Sequence, residues 1–217
     1  MAVPRSIDQK ALYMVILPVM ATGFSYTLIK DWTDALEARH IPLLEGLLPH
    51  QLLLLFSEGS MTTELELLSD GRVEAEIRFN GPTALSAAEA DFLGARHGND
   101  AIEREVWLNA GEKRLLYART LIPVNMIDRF VKAALDEKGS EPLGRVLSSN
   151  GILFAKERLE IGIVRCPAAS KDLNLPEQTP LFARRYILFN RGAHGWIIKA
   201  AVTEIFSPEL IGAGIRN

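Results

Sequence analysis

Arginines and one glutamate set into apolar, strand-like segments are the residues of this chain whose types and spacing best support chemistry. In "EREVWL" Arg104 alternates into the same face as Val106 and Leu108, while Glu103, Glu105 and Trp107 share the other. Arg119 in "YARTLIP" falls with Tyr117 and Leu121. The adjacent Arg184 and Arg185 of "FARRYILF" point to opposite faces, so at least one lies on a covered side. In "AVTEIFSPEL" Glu204 lines up with Val202 and Phe206. A carboxylate taken out of water without a partner is costly, and a buried guanidinium calls for a planar anion. Two readings follow. Glu204 pairs with one of the arginines as an internal salt bridge, or these residues line a pocket for a small anionic molecule. For Arg104 and Glu204 the readings differ in a distance: contact within about 4 Å for an ion pair, a wider separation for a pocket.

The elements that hold these residues follow from periodicity. From Trp32, "DWTDALEARH" and "PHQLLLLFSEGSMTTELELL" have helical spacing, broken at Gly59, with Ser60 as an N-cap. "RVEAEIRF" alternates as a half-buried strand, and Ser86 three residues before Glu89 marks a capping box. "EREVWLNAGEKRLLYARTLIP" predicts a β-hairpin, and "MIDRFVKAALDEKG" an amphipathic helix stopped at Gly139. After a loop, "SEPLGRVLSSNG", come strands in "RLEIGIV", "LFARRYILF" and "GWIIKAAVTEIF", with "CPAASKDLNLPEQTP" as a surface loop or lid. The pattern predicts an α+β domain around a single antiparallel sheet of about six strands, with residues 46–217 as the domain and 1–45 as an extension or packing segment.

Composition removes several function classes. A net charge of −3 without a basic block gives no footprint for nucleic acid. The single Cys166 is expected to be an apolar filler in a cytoplasmic protein, and four scattered histidines predict no metal. No GxSxG, P-loop or GxGxxG is present, so nucleophilic catalysis and nucleotide binding lack support. Residues 11–29 are uncharged and long enough for a membrane span or a secretory segment, but Pro18, Thr22, Gly23, Ser25 and Thr27 dilute them, so membrane association is not the expectation.

Six blocks, "GSMTTELELL", "REVWLNAGEKRLLYARTLIP", "PLGRVL", "LEIG", "ARRY" and "TEIFSP", resemble in order those of the chorismate pyruvate-lyases, which make 4-hydroxybenzoate. The resemblance runs from about Leu52 to Leu210. It implies a sheet with helical flaps over a buried site and a reaction releasing pyruvate from chorismate without metal or organic cofactor. Such a reaction serves ubiquinone or related aromatic biosynthesis. It further implies that Arg104 binds the ring carboxylate and Glu204 reaches the oxygen at the far end of the ring, with a desolvated Glu204 able to donate or accept a proton there. Met61 and Leu143 close on the ligand through their backbones, and one of Arg119, Arg184 and Arg185 holds the enolpyruvyl carboxylate. The alternative is a non-catalytic sensor of the same fold. Sensors of that kind sit behind a basic DNA-binding region, and residues 1–50 are not patterned as one.

Overall fold

The computed structural model describes residues 24–40 and 42–212, apart from the side chain of Leu43. The chain runs through β1 (Thr27–Asp34), the single turn α1 (Ala35–Ala38), α2 (Pro49–Phe56), α3 (Met61–Ser69), β2 (Val73–Ala84) and α4 (Ala87–Leu93). The hairpin β3 (Asp100–Ala110) and β4 (Lys113–Pro123) follows, then α5 (Arg129–Glu137), α6 (Leu143–Ser149), β5 (Ala155–Arg165) and α7 (Pro167–Asp172). A second hairpin, β6 (Leu181–Gly192) and β7 (Gly195–Phe206), ends the domain. The strands form one seven-stranded sheet in the order β1-β5-β6-β7-β4-β3-β2, antiparallel throughout.

Local chemistry sets the boundaries. The β3–β4 hairpin turns at Gly111 and Glu112, where Gly111 takes φ 59 and the tight turn needs a residue free of a Cβ. Ser86 accepts from the Glu89 amide while Glu89 accepts from Ser86, the expected capping box of α4. Ser60 accepts from the Thr63 amide and starts α3.

The expected single antiparallel sheet is present, and three local expectations are corrected. The stretch read as helical from Trp32 begins in a strand: Thr27–Asp34 pairs with β5, and only Ala35–Ala38 is helical. Here β1 crosses so close to Gly162 that a Cβ there would meet the Trp32 ring at 3.0 Å. β1 and α1 lie within residues 1–45, the stretch expected as an extension or packing segment. "PLGRVLSS" is not a loop but contains α6, which buries Val146 and Leu147. The segment expected as a lid contains α7, anchored through buried Ala169 and packed on the sheet face that holds Trp107 and Tyr117. Of the apolar run at 11–29, residues 11–23 lie outside the described residues; among the described residues no helix is long and apolar enough to cross a membrane.

The central strands are covered on both sides. One face carries Arg104, Val106, Leu108, Ala118, Thr120, Tyr186, Val202 and Glu204, under α1 to α3 and α5 to α6. The reverse face carries Trp107, Tyr117, Leu121, Ala183 and Ile205, under α4, α7 and Phe24. Burial on both faces explains why these strands read as near-continuous apolar runs.

Candidate active site

The register brings two of the expected side chains together. Arg104 stands opposite Thr120, and Thr120 opposite Val202; Glu204 is one pleat further along β7, opposite Ala118. Two strand spacings and two residues of rise separate the Arg104 and Glu204 backbones by about 12 Å. Both side chains line one cavity, floored by Val106, Leu108, Ala118, Thr120, Tyr186 and Val202. They form no ion pair with each other. Small Ala118, at the centre of the floor, leaves the space between them.

Two backbone segments roof the cavity. The turn from α2 to α3 contributes Gly59, Ser60, Met61 and Thr62, and the start of α6 contributes Pro142, Leu143 and Gly144. Met61 and Leu143 are thus both at the cavity. Each roof segment is tied down by a cation below it. Arg104 Nη2 donates to the carbonyls of Gly139 at 2.7 Å and Glu141 at 2.6 Å, just ahead of α6. Lys156 Nζ donates to the Gly59 carbonyl at 2.7 Å. The cavity measures about 60 Å³, well below the roughly 300 Å³ of the smallest ordinary ligand sites. A ring-sized ligand needs more room than this cavity offers. Larger apolar grooves of about 650 and 510 Å³ lie along α2. Neither gathers a comparable set of buried charges, so volume alone does not mark the site.

The electrostatics are lopsided. Arg104 is 5% exposed, meets no carboxylate among the described residues, and its Nε is buried without a hydrogen-bond partner. Burial pushes its pKa down to about 10, which still leaves it cationic at neutral pH. Glu204 accepts from Arg184 Nε at 2.5 Å and from the Tyr186 hydroxyl at 3.1 Å. Arg184 is fully buried and also donates through Nη1 to the Leu54 carbonyl at 2.6 Å and the Ser57 carbonyl at 3.0 Å. It satisfies carbonyls at the C-terminal end of α2, where a cation is favoured. The ion pair of Glu204 is made with Arg184, and Arg104 stands across the cavity from Glu204, out of contact with it.

The remaining arginines do not reach the site. Arg119 is opposite Glu105 on the reverse face and pairs with Glu103 and Glu89. Arg185 pairs with Glu160 at 2.5 Å and lies over the rings of Trp32 and Phe92, also on the reverse face. Arg184 lies behind Glu204 rather than in the cavity lining. None of these three is among the residues lining the cavity: pleat parity places Arg119 and Arg185 on the reverse face, whereas Arg184, on the cavity face opposite Glu204, is held by its ion pair with Glu204 and by the α2 carbonyls. Glu204 is also not an unpartnered carboxyl: Arg184 and Tyr186 donate to its two oxygens. Two lining residues with titratable side chains were missed from sequence, Lys156 and Tyr186. Tyr186 follows from parity, two residues beyond Arg184. Among the described residues no cluster of three metal-ligating side chains occurs.

Comparison with known proteins bears directly on this site. Residues 55–213 match the family model described as chorismate pyruvate-lyase Rv2949c-like. The chain belongs to that family. A probable chorismate pyruvate-lyase of Pseudomonas aeruginosa is 32% identical over 158 residues, covering 72% of this chain and 82% of the relative. An uncharacterized protein, ycf21 of Cyanophora paradoxa, is 24% identical, covering 71% and 75%. Among solved structures, the effector domain of PhnF from Mycobacterium smegmatis superposes with a TM-score of 0.53 at 14% identity, covering 71% of this chain and 91% of that one. That likeness concerns the fold alone. The stretch matched by the chorismate pyruvate-lyase family model contains β2 to β7 and every residue that lines the cavity, and β1 is the strand that precedes it.

Proposed function

We propose that the protein is a cofactor-independent lyase converting chorismate to 4-hydroxybenzoate and pyruvate. The observation that carries this reading is the cavity between an arginine without a carboxylate partner, Arg104, and a carboxylate already neutralised from behind, Glu204. An aromatic acid with an oxygen para to its carboxylate fits that axis: the carboxylate on the guanidinium, the hydroxyl donating to Glu204. Family membership supports the same substrate.

The reaction makes modest demands. The ether bond between ring and enolpyruvyl group breaks, and the ring carbon bearing the hydroxyl loses its hydrogen. That hydrogen ends on the methylene carbon of the departing group, which becomes pyruvate. Atoms and electrons balance without a co-reactant, and aromatisation drives the step. The protein has to hold one reactive conformer and stabilise the charge that builds on the departing oxygen. In this reading Arg104 anchors the ring, and Glu204, fixed by Arg184 and Tyr186, orients the hydroxyl-bearing carbon. Met61 and Leu143 close the roof through their backbones and exclude water. We assign the protein to the cytoplasm, where a lone buried thiol such as Cys166 is at home.

The test is incubation of purified protein with chorismate, following 4-hydroxybenzoate by absorbance and pyruvate with a coupled dehydrogenase. The reading predicts the two products in equal amounts. Binding of 4-hydroxybenzoate without any turnover would instead make this domain a sensor.

A further inference from the structure

Chorismate carries two carboxylates; the register removes Arg119 and Arg185 as partners for the second, and Arg184, on the cavity face, spends Nε on Glu204 and Nη1 on the Leu54 and Ser57 carbonyls. One cation remains in the cavity. Lys156 stands on β5 opposite Leu188, on the cavity face, immediately before a bulge that spans Glu157 to Glu160. Within the bulge Arg158 adopts φ 55, and its side chain turns to the reverse face, over the Phe92 ring. Lys156 therefore points into the cavity although Ile161 and Ile163, an odd number of residues away, share that face. Its Nζ lies 2.7 Å from the Gly59 carbonyl, 3.5 Å from the Ser57 carbonyl and 4.7 Å from the centre of the Tyr186 ring.

The lining charges decide the argument. Lys156 has no carboxylate at ion-pair distance among the described residues, and neither has Arg104. The one lining carboxylate, Glu204, is balanced by Arg184 behind it. The cavity thus holds two cations in excess, at two separate places, each satisfied only by neutral backbone carbonyls. Replacing a neutral carbonyl by a carboxylate adds the attraction of a full negative charge to the cation's hydrogen bond.

Resting on the lyase reading, we propose that Lys156 binds the enolpyruvyl carboxylate of chorismate and thereby distinguishes the dianionic substrate from the monoanionic product. Both molecules reach Arg104, and only the substrate reaches Lys156. Because the ammonium now holds the Gly59 carbonyl, the second carboxylate also draws it from the α2–α3 turn, coupling substrate binding to movement of that roof segment. The groups facing Lys156 are Arg184 and Tyr186 on β6, Glu204 on β7, Glu64 on α3 and Glu58 in the turn. Burial, reinforced by Arg184, lowers the Lys156 pKa to about 8, whereas burial raises Tyr186 well above its ordinary value. Lys156 is therefore the cation that loses its charge as pH rises through about 8.

The experiment compares wild type, Lys156→Met and Lys156→Arg, measuring the chorismate KM by steady-state kinetics and the 4-hydroxybenzoate Kd by calorimetry. Loss of a hydrogen bond to a charged group predicts a roughly 10- to 100-fold higher chorismate KM in Lys156→Met with a product Kd changed less than about threefold. Lys156→Arg restores most of the KM. In wild type the KM rises above about pH 8 while the product Kd stays flat, and Lys156→Arg abolishes that rise. Equal changes in both constants would show that Lys156 only holds the turn, and unchanged constants would show no role; either overturns the proposal. Should Lys156→Met fail to fold, the wild-type pH profiles decide, parallel profiles for substrate and product counting against it. Wild type that releases no product from chorismate would overturn the lyase reading itself. Normal wild-type turnover with an unaltered variant would overturn only the assignment of Lys156.

Discussion

Replacing Arg184 by Met tests whether Glu204 is held by its neighbour or stands by itself. Arg184 is 0% exposed and Glu204 4% exposed, and the guanidinium is the only cation paired with that carboxylate among the described residues. Removing it leaves a buried charge with one phenolic donor, Tyr186, and frees the carbonyls of Leu54 and Ser57 that it bonded. Breaking a buried ion pair from one side costs about 3–5 kcal/mol. For a chain of this size each kcal/mol is worth about 2–4 °C, so the melting temperature falls by roughly 6–20 °C. Adding Glu204→Gln removes the orphaned charge and keeps an acceptor for Tyr186. The double variant is therefore more stable than Arg184→Met alone, with a coupling of about 1.5 kcal/mol or more. Urea unfolding followed by the fluorescence of the three tryptophans reads both quantities. An Arg184→Met protein within about 1 kcal/mol of wild type, or strictly additive effects, would refute the claim that Arg184 fixes Glu204.

Other perturbations separate the two ends of the cavity. Arg104→Ala raises KM more than it lowers kcat, by about 100-fold in kcat/KM, whereas Glu204→Gln lowers kcat and leaves KM within about threefold; equal behaviour of the two variants in steady-state assays would contradict the division of roles. Ala118→Leu adds three carbons to the floor of a cavity of about 60 Å³. It abolishes 4-hydroxybenzoate binding in calorimetry while changing stability by less than about 1.5 kcal/mol, since empty space takes up the added volume.

How much of this was legible in the sequence depends on what each residue's position rests on. Arg104 and Glu204 lie in strands of regular alternation, so period-two reading placed them on a covered face. Arg119 and Arg185 misled because the sheet is buried on both sides, and an apolar neighbour marks neither face uniquely. Their partners, Glu103, Glu89 and Glu160, lie on other elements. Lys156 was hidden by the β5 bulge, which inverts pleat parity between it and Ile161 with no turn residue to announce it. β1 was lost because "TLIKDWTD" is an edge strand with two register shifts, mostly open to solvent, and lacks clean alternation. The helix α6 was lost because it is short and begins at a Pro142-Leu143 step that reads as a loop.

The sharpest test is a crystal structure of the protein with bound 4-hydroxybenzoate. The ring is expected in the Ala118 cavity, its carboxylate within about 3 Å of the Arg104 guanidinium and its phenolic oxygen within hydrogen-bond reach of Glu204. A ligand seated in the α2 grooves, or one whose carboxylate meets Arg184 or Arg119 instead, would contradict it.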